Sequence, residues 1–498
     1  MKLNDDTCYT ALQTRDARFD GVFYTAVKTT GIYCRPVCPA RTPARTSCTF
    51  YATASAAETA GFRPCLRCRP ELAPGVQGSS LAEAVLRRLQ EHAVEGTKLE
   101  DLDQDLGLSS RQVRRILESE FGVTPLQVVQ TQRLLLAKQL LQETAQPIGE
   151  IALAAGFRSL RNFNDVFQEH YHMAPGDCRR AGKKVQQDAG TRLRLAYRPP
   201  LAWEALMDYF RSRLVPGVEE ISGLEYRRTA ALGSTTGWLR VWPHESDPVL
   251  LVEVSPSLTR HLGAVQTRVR RMFDLDARPD AIREVLGGDP LLAPTLAQFP
   301  GLRVGGAWDT FELAVRAVLG QQITVAAATT LSGRLAARIG SPVESPFSGL
   351  HRHAITAEAM EPLTVEDLCQ LGLVRARAET LQNLTRFALK GGLDFPPGLD
   401  HEQAVARLVE QPGIGPWTAH YIAMRALRFP DAFPAADLGL RKAVGQGALA
   451  PARQVEQRSL DWRPWRAYAA AILWKSLPPP APRARAAGRS DNPKTNKK

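Results

Sequence analysis

The sequence predicts a multidomain, mainly α-helical protein that also contains two small α/β units. A chain of 498 residues is too long for a single hydrophobic core and is expected to divide into roughly three or four domains. Helical periodicity of apolar residues dominates from about 81 to 180 and returns from about 280 to 477. Between these segments, alternating residues at 191–195 and an apolar run at 249–254 predict a small antiparallel sheet.

Breaks in these patterns predict four folded units and a tail. The stretches 73–79 and 183–190 lack periodicity and are interpreted as linkers. After Pro478-Pro479-Pro480 the composition becomes basic and of low complexity, which predicts disorder. The predicted units are a small metal-binding α/β domain at 1–75, a domain of two helix-turn-helix units at 81–182, an α/β subdomain at 191–275, an all-α domain at 280–477 and a disordered basic tail at 478–498.

Composition and charge limit the function classes. No run of about eighteen apolar residues predicts a membrane span, and the first six residues lack the apolar region of a secretory signal. We therefore expect a cytoplasmic, monomeric protein. The net charge of +12 indicates a polyanionic partner. Part of that excess lies in the tail, but a second basic cluster from Lys28 to Arg69 surrounds four cysteines.

Four of the eight cysteines have the spacing of a metal site. Cys34 and Cys38 form one close pair, Cys65 and Cys68 form another, and 26 residues separate the pairs. This pattern predicts a tetrahedral Zn²⁺ site, whereas a disulfide framework is not expected without a secretory signal. For four-thiolate sites in general, a structural zinc with no chemistry is the commoner outcome.

The residues around the cysteines resemble the N-terminal domain of the Ada adaptive-response family. The resemblance rests on 29–38, which reads Thr-Thr-Gly-Ile-Tyr-Cys-Arg-Pro-Val-Cys, and on 62–68, which reads Phe-Arg-Pro-Cys-Leu-Arg-Cys. It implies repair of methyl phosphotriesters in DNA, with Cys34 as the methyl acceptor and phosphate contacts from Thr30, Arg41 and Arg63. A zinc-bound thiolate stays ionised and nucleophilic at neutral pH. Methylation would remove one negative charge from the site and so tighten DNA binding.

An internal repeat marks the helical segment that follows. Phe121-Gly122-Val123-Thr124-Pro125 and Tyr171-His172-Met173-Ala174-Pro175 lie fifty positions apart. Each follows a short amphipathic helix opened by a serine N-cap, which is Ser109 or Ser110 in one copy and Ser159 in the other. The repeat predicts two helix-turn-helix units joined by a helix at about 126–143.

Gly156-Phe157-x-Ser159 and Phe163-x3-Phe167 resemble the AraC-type DNA-binding domain. The family usually has glycine where His172 stands. Recognition helices are expected at about 110–118 and 159–170, with promoter DNA and RNA polymerase as partners. The candidate DNA contacts are Arg111, Arg114, Arg115, Arg161, Asn162 and Asn164. For each of these a solvated helix face is an equal alternative.

The most specific chemistry lies near the C-terminal end of the last helical segment. Pro412-Gly413-Ile414-Gly415 between two helical patterns predicts a helix-hairpin-helix, whose glycines let the turn approach a DNA phosphate. Asp437 follows after a short connection that contains no basic residue between 435 and 437. A carboxylate beside a DNA-binding hairpin suits the positive charge that develops on a sugar during glycosidic cleavage. The alternative is a surface aspartate that caps a helix. Hairpin plus aspartate resembles the helix-hairpin-helix DNA glycosylase superfamily, and Asp437 matches its catalytic position.

The subtype follows from further residues. Trp417 stands where bifunctional glycosylase-lyases have lysine, so Schiff-base chemistry is not expected. No cysteine follows Cys369, so the C-terminal iron–sulfur cluster of some relatives is not expected. Four motifs resemble the AlkA 3-methyladenine glycosylase family over about 193–475: Arg198-Pro199-Pro200-x2-Trp203, Gly320-Gln321-Gln322, Trp417-x3-Tyr421 and Trp462-Arg463-Pro464-Trp465-Arg466-x-Tyr468.

The AlkA resemblance implies monofunctional hydrolysis of the N-glycosidic bond of alkylated purines such as 3-methyladenine, flipped out of double-stranded DNA. A cationic base would leave without a general acid, and aromatic faces would favour it over neutral bases. The family's DNA-wedging leucine corresponds to Gln322, with Ile323 adjacent. The implied substrate-binding residues are Trp417, Tyr421, Trp474, Tyr209 and Gln322, and the implied DNA contacts of the hairpin are Gly413, Ile414 and Gly415.

The sequence as a whole predicts a fusion of an Ada-type zinc methyl acceptor, an AraC-type DNA-binding regulator and an AlkA-type glycosylase. The Pro-Cys-His-Arg motif of methylguanine methyltransferases is absent from the sequence, so repair of O6-methylguanine is not expected. One alternative is a transcription regulator whose glycosylase-like half is idle. Another keeps the glycosylase and gives the N-terminal half only a DNA-targeting role.

Overall fold

The computed structural model describes residues 4–75, 81–95, 106–182, 191–396 and 399–478. Most of the first predicted linker, all of the second and nearly all of the predicted disordered tail lie outside the described residues. Within the described ranges, none of the helices combines the length and the apolar character that crossing a membrane requires. The predicted multidomain, mainly helical fold class is confirmed.

The cysteine-rich segment folds around a four-stranded sheet with the strand order β3-β1-β2-β4. Its elements are α1 (Asp5–Thr14), β1 (Tyr24–Val27), β2 (Ile32–Cys34), β3 (Cys48–Tyr51), α2 (Ala54–Thr59) and β4 (Arg63–Pro64). Strands β2 and β4 pair in parallel, and the backbone N–H of Cys65 donates to the carbonyl of Tyr33. This pairing brings the end of β2, which carries Cys34, beside the start of the second cysteine pair.

The helical segment that follows contains the predicted repeat. Its helices are α3 (Leu81–Glu95), α4 (Ser110–Phe121), α5 (Pro125–Glu143), α6 (Ile148–Ala154), α7 (Leu160–Tyr171) and α8 (Pro175–Ala181). Ser109 caps α4 and Ser159 caps α7, each accepting a hydrogen bond from a backbone N–H of the first turn. Gly122 ends α4 in the left-handed conformation, and His172 ends α7 in the same conformation with φ of 52°. The helix stop is therefore kept in the second unit without glycine.

A five-stranded antiparallel sheet with the order β5-β9-β8-β7-β6 follows, as the alternating segments predict. Its elements are β5 (Thr191–Ala196), α9 (Trp203–Arg211), β6 (Glu219–Ser222), β7 (Glu225–Leu232), β8 (Thr235–Pro243), β9 (Val249–Val254) and α10 (Leu262–Phe273). One hydrophobic core joins this sheet to the second helix-turn-helix unit, because Leu136 and Phe163 belong to the same buried cluster as Leu193. The sequence did not indicate this shared core.

The C-terminal segment is helical and has its own large core. Its helices are α11 (Pro279–Leu286), α12 (Ala293–Gln298), α13 (Thr310–Leu319), α14 (Val325–Ile339), α15 (Ala357–Met360), α16 (Val365–Gln370), α17 (Arg375–Leu389), α18 (His401–Val409), α19 (Pro416–Arg425), α20 (Leu438–Val444), α21 (Ala452–Ser459) and α22 (Arg466–Ser476). Helices α18 and α19 flank the predicted hairpin, and α20 starts immediately after Asp437.

Buried polar contacts join neighbouring units of the chain. The guanidinium of Arg198, 1% exposed, donates to the backbone carbonyls of Asp20, Gly75 and Asp276. Lys138 of α5 forms a buried ion pair with Glu71 of the cysteine-rich unit. Unpaired buried carbonyls and charges are costly, so these contacts favour one fixed arrangement of the units.

Candidate functional sites

The first site is the cluster of Cys34, Cys38, Cys65 and Cys68, whose sulfur atoms all lie within 4.8 Å of one another. Backbone N–H groups of Arg35 and Arg67 donate to the sulfurs of Cys68 and Cys65, at 3.3 and 3.4 Å. Such donors stabilise negative charge on sulfur. Four converging thiols with backbone donors around them fit a tetrahedral metal ion.

Cys34 is the most open of the four cysteines, and it lies on the wall of a cavity of about 410 Å³. Thr30, Arg41 and Arg63, which the Ada resemblance implies as phosphate contacts, line the same cavity, together with Arg67. Within the described part of the chain, none of these three arginines pairs with a carboxylate. The cavity therefore presents uncompensated positive charge beside the accessible sulfur, which suits a phosphate ligand.

The six candidate DNA contacts of the helix-turn-helix units are all exposed. Arg114 pairs with Glu118 at 2.8 Å, and Arg161 lies 4.0 Å from Asp165. Among the described residues, Arg111 and Arg115 have no such partner. This surface therefore contains two kinds of cation. For Arg114 and Arg161, which are already paired along their own helices, a solvated helix face is the simpler interpretation.

The second site begins at the hairpin between α18 and α19. Gly413 has φ of 85°, and a β-carbon there would lie 1.9 Å from Oγ1 of Thr380, so only glycine fits. The side chain of Gln321 donates to the carbonyl of Gly413 and to Oγ1 of Thr418. Gly415 has open space around it, which leaves the turn accessible to a DNA phosphate.

Asp437 accepts four hydrogen bonds. Its Oδ1 accepts from the backbone N–H groups of Gly439 and Leu440 and from Nε1 of Trp474, at 2.8, 3.0 and 2.8 Å. Its Oδ2 accepts from Nε1 of Trp417 at 2.9 Å. The aspartate therefore does cap a helix, as the alternative interpretation holds, and it also lines an aromatic cavity. Within the described residues no cation forms an ion pair with it, although its charge is among those that act to raise the pKa of Arg213.

Aromatic side chains form the walls of this cavity. Trp417 stacks on Tyr421 with ring centroids 5.4 Å apart, and Tyr421 meets Trp474 edge-on at 6.4 Å. Ile323 also lines the cavity, whereas Gln322 lies exposed at a left-handed position in the turn between α13 and α14. Tyr209 lines a second cavity, which Trp474 also lines.

Two arginines that the sequence did not single out lie against these rings. The guanidinium carbon of Arg425 is 4.1 Å from the ring centre of Tyr209 and 5.1 Å from that of Trp474. Arg213 stacks on Tyr209 at 4.3 Å. The faces that a cationic base would use are therefore partly occupied by the protein's own cations, and the negative charge of Asp437 must offset their repulsion.

Arg425 and Arg213 also lower the pKa of Tyr421. Although burial acts to raise it, the pKa of Tyr421 falls to about 8 because Arg425 and Arg213 stabilise the phenolate. Burial raises the pKa of Tyr209 to about 12. The pocket thus combines one easily ionised phenol with one that stays protonated.

Four family models match consecutive parts of the chain. They are the metal-binding domain of Ada at residues 7–71, a helix-turn-helix domain at 102–181, the AlkA N-terminal domain at 192–309 and the HhH-GPD superfamily of base-excision DNA repair proteins at 315–465.

One relative matches almost the whole chain. A Mycobacterium tuberculosis protein named "Probable bifunctional transcriptional activator/DNA repair enzyme AlkA" is 40% identical over 490 residues, which is 96% of this chain and 98% of the relative. The chain belongs to this family. DNA-3-methyladenine glycosylase 2 of Escherichia coli is 31% identical over 283 residues, covering 56% of this chain and 95% of that protein.

Among solved structures, a 3-methyladenine DNA glycosylase from Archaeoglobus fulgidus matches with a TM-score of 0.51 and 26% identity, over 56% of this chain and 96% of that chain. The predicted fusion of Ada-type, helix-turn-helix and AlkA-type parts is confirmed. The chain is a DNA-binding repair protein of the bifunctional AlkA type.

Proposed function

We propose that the C-terminal half is a monofunctional DNA glycosylase that hydrolyses the N-glycosidic bond of alkylated purines such as 3-methyladenine. The observation that carries this proposal is Asp437, a carboxylate held by neutral donors in the wall of an aromatic pocket. The similarity to DNA-3-methyladenine glycosylase 2 supports the choice of substrate class.

The charge of Asp437 explains how the bond breaks. When the bond from C1′ to the base nitrogen breaks, its electron pair leaves with the base and the sugar becomes an oxocarbenium ion. The carboxylate stabilises that cation, water adds to C1′, and the water proton is released. Trp417 occupies the lysine position of the lyases and has no amine, so no covalent intermediate forms and the strand stays intact.

The pocket holds the flipped base. Trp417, Tyr421 and Trp474 provide apolar faces, and Tyr209 and Arg425, in contact with each other, line the second cavity together with Trp474. The hairpin of Gly413, Ile414 and Gly415 binds the phosphate backbone beside the lesion. Gln322, at its exposed turn, and Ile323, at the cavity, are the candidates to fill the gap that the flipped base leaves in the duplex.

We further propose that Cys34 accepts a methyl group from methyl phosphotriesters in DNA. Cys34, Cys38, Cys65 and Cys68 would hold Zn²⁺, which stabilises the thiolate charge when it is bound. The sulfur of Cys34 attacks the methyl carbon, the carbon–oxygen bond breaks, and the phosphate regains its negative charge. Thr30, Arg41 and Arg63 lie where they can bind that phosphate.

The two helix-turn-helix units complete the proposal as a promoter-binding regulator. Arg111 and Arg115 of α4, with Asn162 and Asn164 of α7, are exposed where recognition helices contact DNA. The proposal also includes the predicted five-part division of the chain, a monomeric state and a cytoplasmic location. RNA polymerase is its proposed protein partner.

Incubation of the purified protein with methylated duplex DNA tests both chemistries. We expect free 3-methyladenine by chromatography, no strand cleavage, and a methyl group on Cys34 by mass spectrometry. DNA binding without release of any base would instead favour a regulator whose glycosylase-like half is idle. Base release without methyl uptake would leave the N-terminal half a DNA-targeting role only.

A further inference from the structure

Two indole rings bracket the Asp437 carboxylate. Nε1 of Trp474 donates to one oxygen at 2.8 Å, and Nε1 of Trp417 donates to the other at 2.9 Å. The two tryptophans come from different helices, α22 and α19, so each contact depends on the packing of the C-terminal segment. Helix capping by itself fixes only Oδ1, through the N–H groups of Gly439 and Leu440.

The backbone beside the aspartate makes room for one of these rings. A β-carbon at Gly439 would lie 3.0 Å from Oδ1 of Asp437 and from Cδ1 of Trp474, and 3.2 Å from Nε1 of Trp474. Those distances are shorter than ordinary van der Waals contacts, so any larger residue would push the indole away. Glycine at this position therefore permits the hydrogen bond from Trp474.

We propose that Trp417 and Trp474 are positioning residues for Asp437, acting through their indole N–H groups, and that Gly439 makes the Trp474 contact possible. This inference rests on the proposed glycosylase activity and assigns the tryptophans a role separate from stacking on the base. One indole donor on each oxygen fixes the plane of the carboxylate.

The other charged groups of the pocket do not replace these donors. Arg213, Arg316 and Arg425 and the phenol of Tyr421 line the same cavity, but within the described residues none of them forms an ion pair or a hydrogen bond with Asp437. Loss of an indole donor would therefore leave the carboxylate less firmly held. The fraction of protein in which the charge faces the sugar would fall.

The sharpest test replaces each tryptophan by benzothienylalanine, in which sulfur takes the place of the indole N–H while the ring size is kept. We expect kcat for 3-methyladenine release to fall about ten- to a hundredfold and KM to change less than about twofold. Gly439→Ala, which retains both indoles, should lower kcat in the same direction by displacing Trp474.

Two controls separate positioning from folding. Benzothienylalanine at Trp242, on the sheet of the other unit, and Gly288→Ala, where a β-carbon meets nothing within 4 Å, should leave kcat and KM unchanged. In an Asp437→Asn background the tryptophan replacements should have no further effect on kcat, because the group they position is gone.

Unchanged kcat in both sulfur-containing variants would overturn the positioning role while leaving the glycosylase proposal intact. So would equal losses in the presence and absence of Asp437, since those would show that the rings act only on the base. A wild-type protein that releases no base would contradict the proposed function itself.

Discussion

The thiolate cluster and the aromatic pocket solve the same problem in different ways. In the proposed reactions each site presents an anion to alkylated DNA and surrounds that anion with N–H donors. The donors are backbone N–H groups at Cys65 and Cys68 and two indole N–H groups at Asp437. The arginines of the two sites differ in what they contact. Among the described residues, those at the cluster line the cavity without carboxylate partners, whereas in the pocket Arg213 and Arg425 stack on aromatic rings.

This difference matches the two proposed reactions. The free arginines at the cluster can bind the phosphate whose methyl group is transferred, and the transfer consumes the sulfur. In the pocket the stacked arginines build a wall, and Asp437 acts through its charge without being consumed. On this proposal one site is a single-use reagent and the other a catalyst that turns over.

The largest expected effect comes from neutralising the pocket anion. Asp437→Asn keeps an acceptor for the donors but removes the charge that stabilises the sugar cation, so base release should fall by about a thousandfold or more. DNA affinity, measured by fluorescence anisotropy, should change little. Turnover retained within tenfold of wild type would contradict the catalytic role.

Removing cysteines should separate reactivity from folding at the cluster. Cys34→Ser should abolish methyl uptake and leave the thermal melting curve close to that of wild type, because Cys34 is the most open ligand. Cys68→Ser, at a buried ligand that also accepts from Arg35, should unfold the N-terminal unit. Metal chelation should mimic Cys68→Ser in circular dichroism. Methyl found by mass spectrometry on a cysteine other than Cys34 would refute the assignment.

The next largest expected effect tests whether the units that carry the thiolate cluster and the aromatic pocket form one rigid body. Arg198→Met leaves the buried carbonyls of Asp20, Gly75 and Asp276 without donors, so the free energy of unfolding should fall by about 2–5 kcal/mol. Arg211→Met, an exposed change, serves as the control. Chemical denaturation measures both. Equal stability of the two variants would show that the Arg198 contacts do not stabilise the junction between the units.

These contacts mark the boundary of what the sequence could predict. Local patterns were sufficient for the cysteine cluster, the serine caps, the hairpin and Asp437, because each depends on spacing within a short segment. Arg198, Arg213 and Arg425 were not singled out as site or junction residues, since their partners lie in distant segments that only the tertiary fold brings together. The core shared by the second helix-turn-helix unit and the sheet escaped prediction for the same reason.

The indole contacts on Asp437 show a second kind of limit. The sequence named Asp437 and the three aromatic residues that line one cavity with it, but the edges and faces of a tryptophan have different chemistry. Only the orientation of the rings reveals that their N–H groups meet the carboxylate.

The smallest expected effect concerns the helix stop at His172. A left-handed conformation costs a non-glycine residue about 1–2 kcal/mol. Glycine at position 172 would remove that cost, but the greater freedom of glycine in the unfolded chain offsets part of the gain in stability. His172→Gly should therefore raise the free energy of unfolding by about 0.5–1 kcal/mol. Gly122→Ala, the matched change at the equivalent position, should lower it by about 1 kcal/mol. Opposite signs in urea denaturation support the account, and a destabilised His172→Gly would refute it.

The stoichiometry of the two products tests the central claim most directly. Wild-type protein is incubated with an excess of methylated duplex DNA, and free 3-methyladenine and protein-bound methyl are measured against time in the same sample. We predict that released base continues past one equivalent per protein, while methyl uptake stops at one equivalent, on Cys34. Base release that also stops at one equivalent, or that does not occur, would contradict the distinction between a consumed sulfur and a reusable carboxylate.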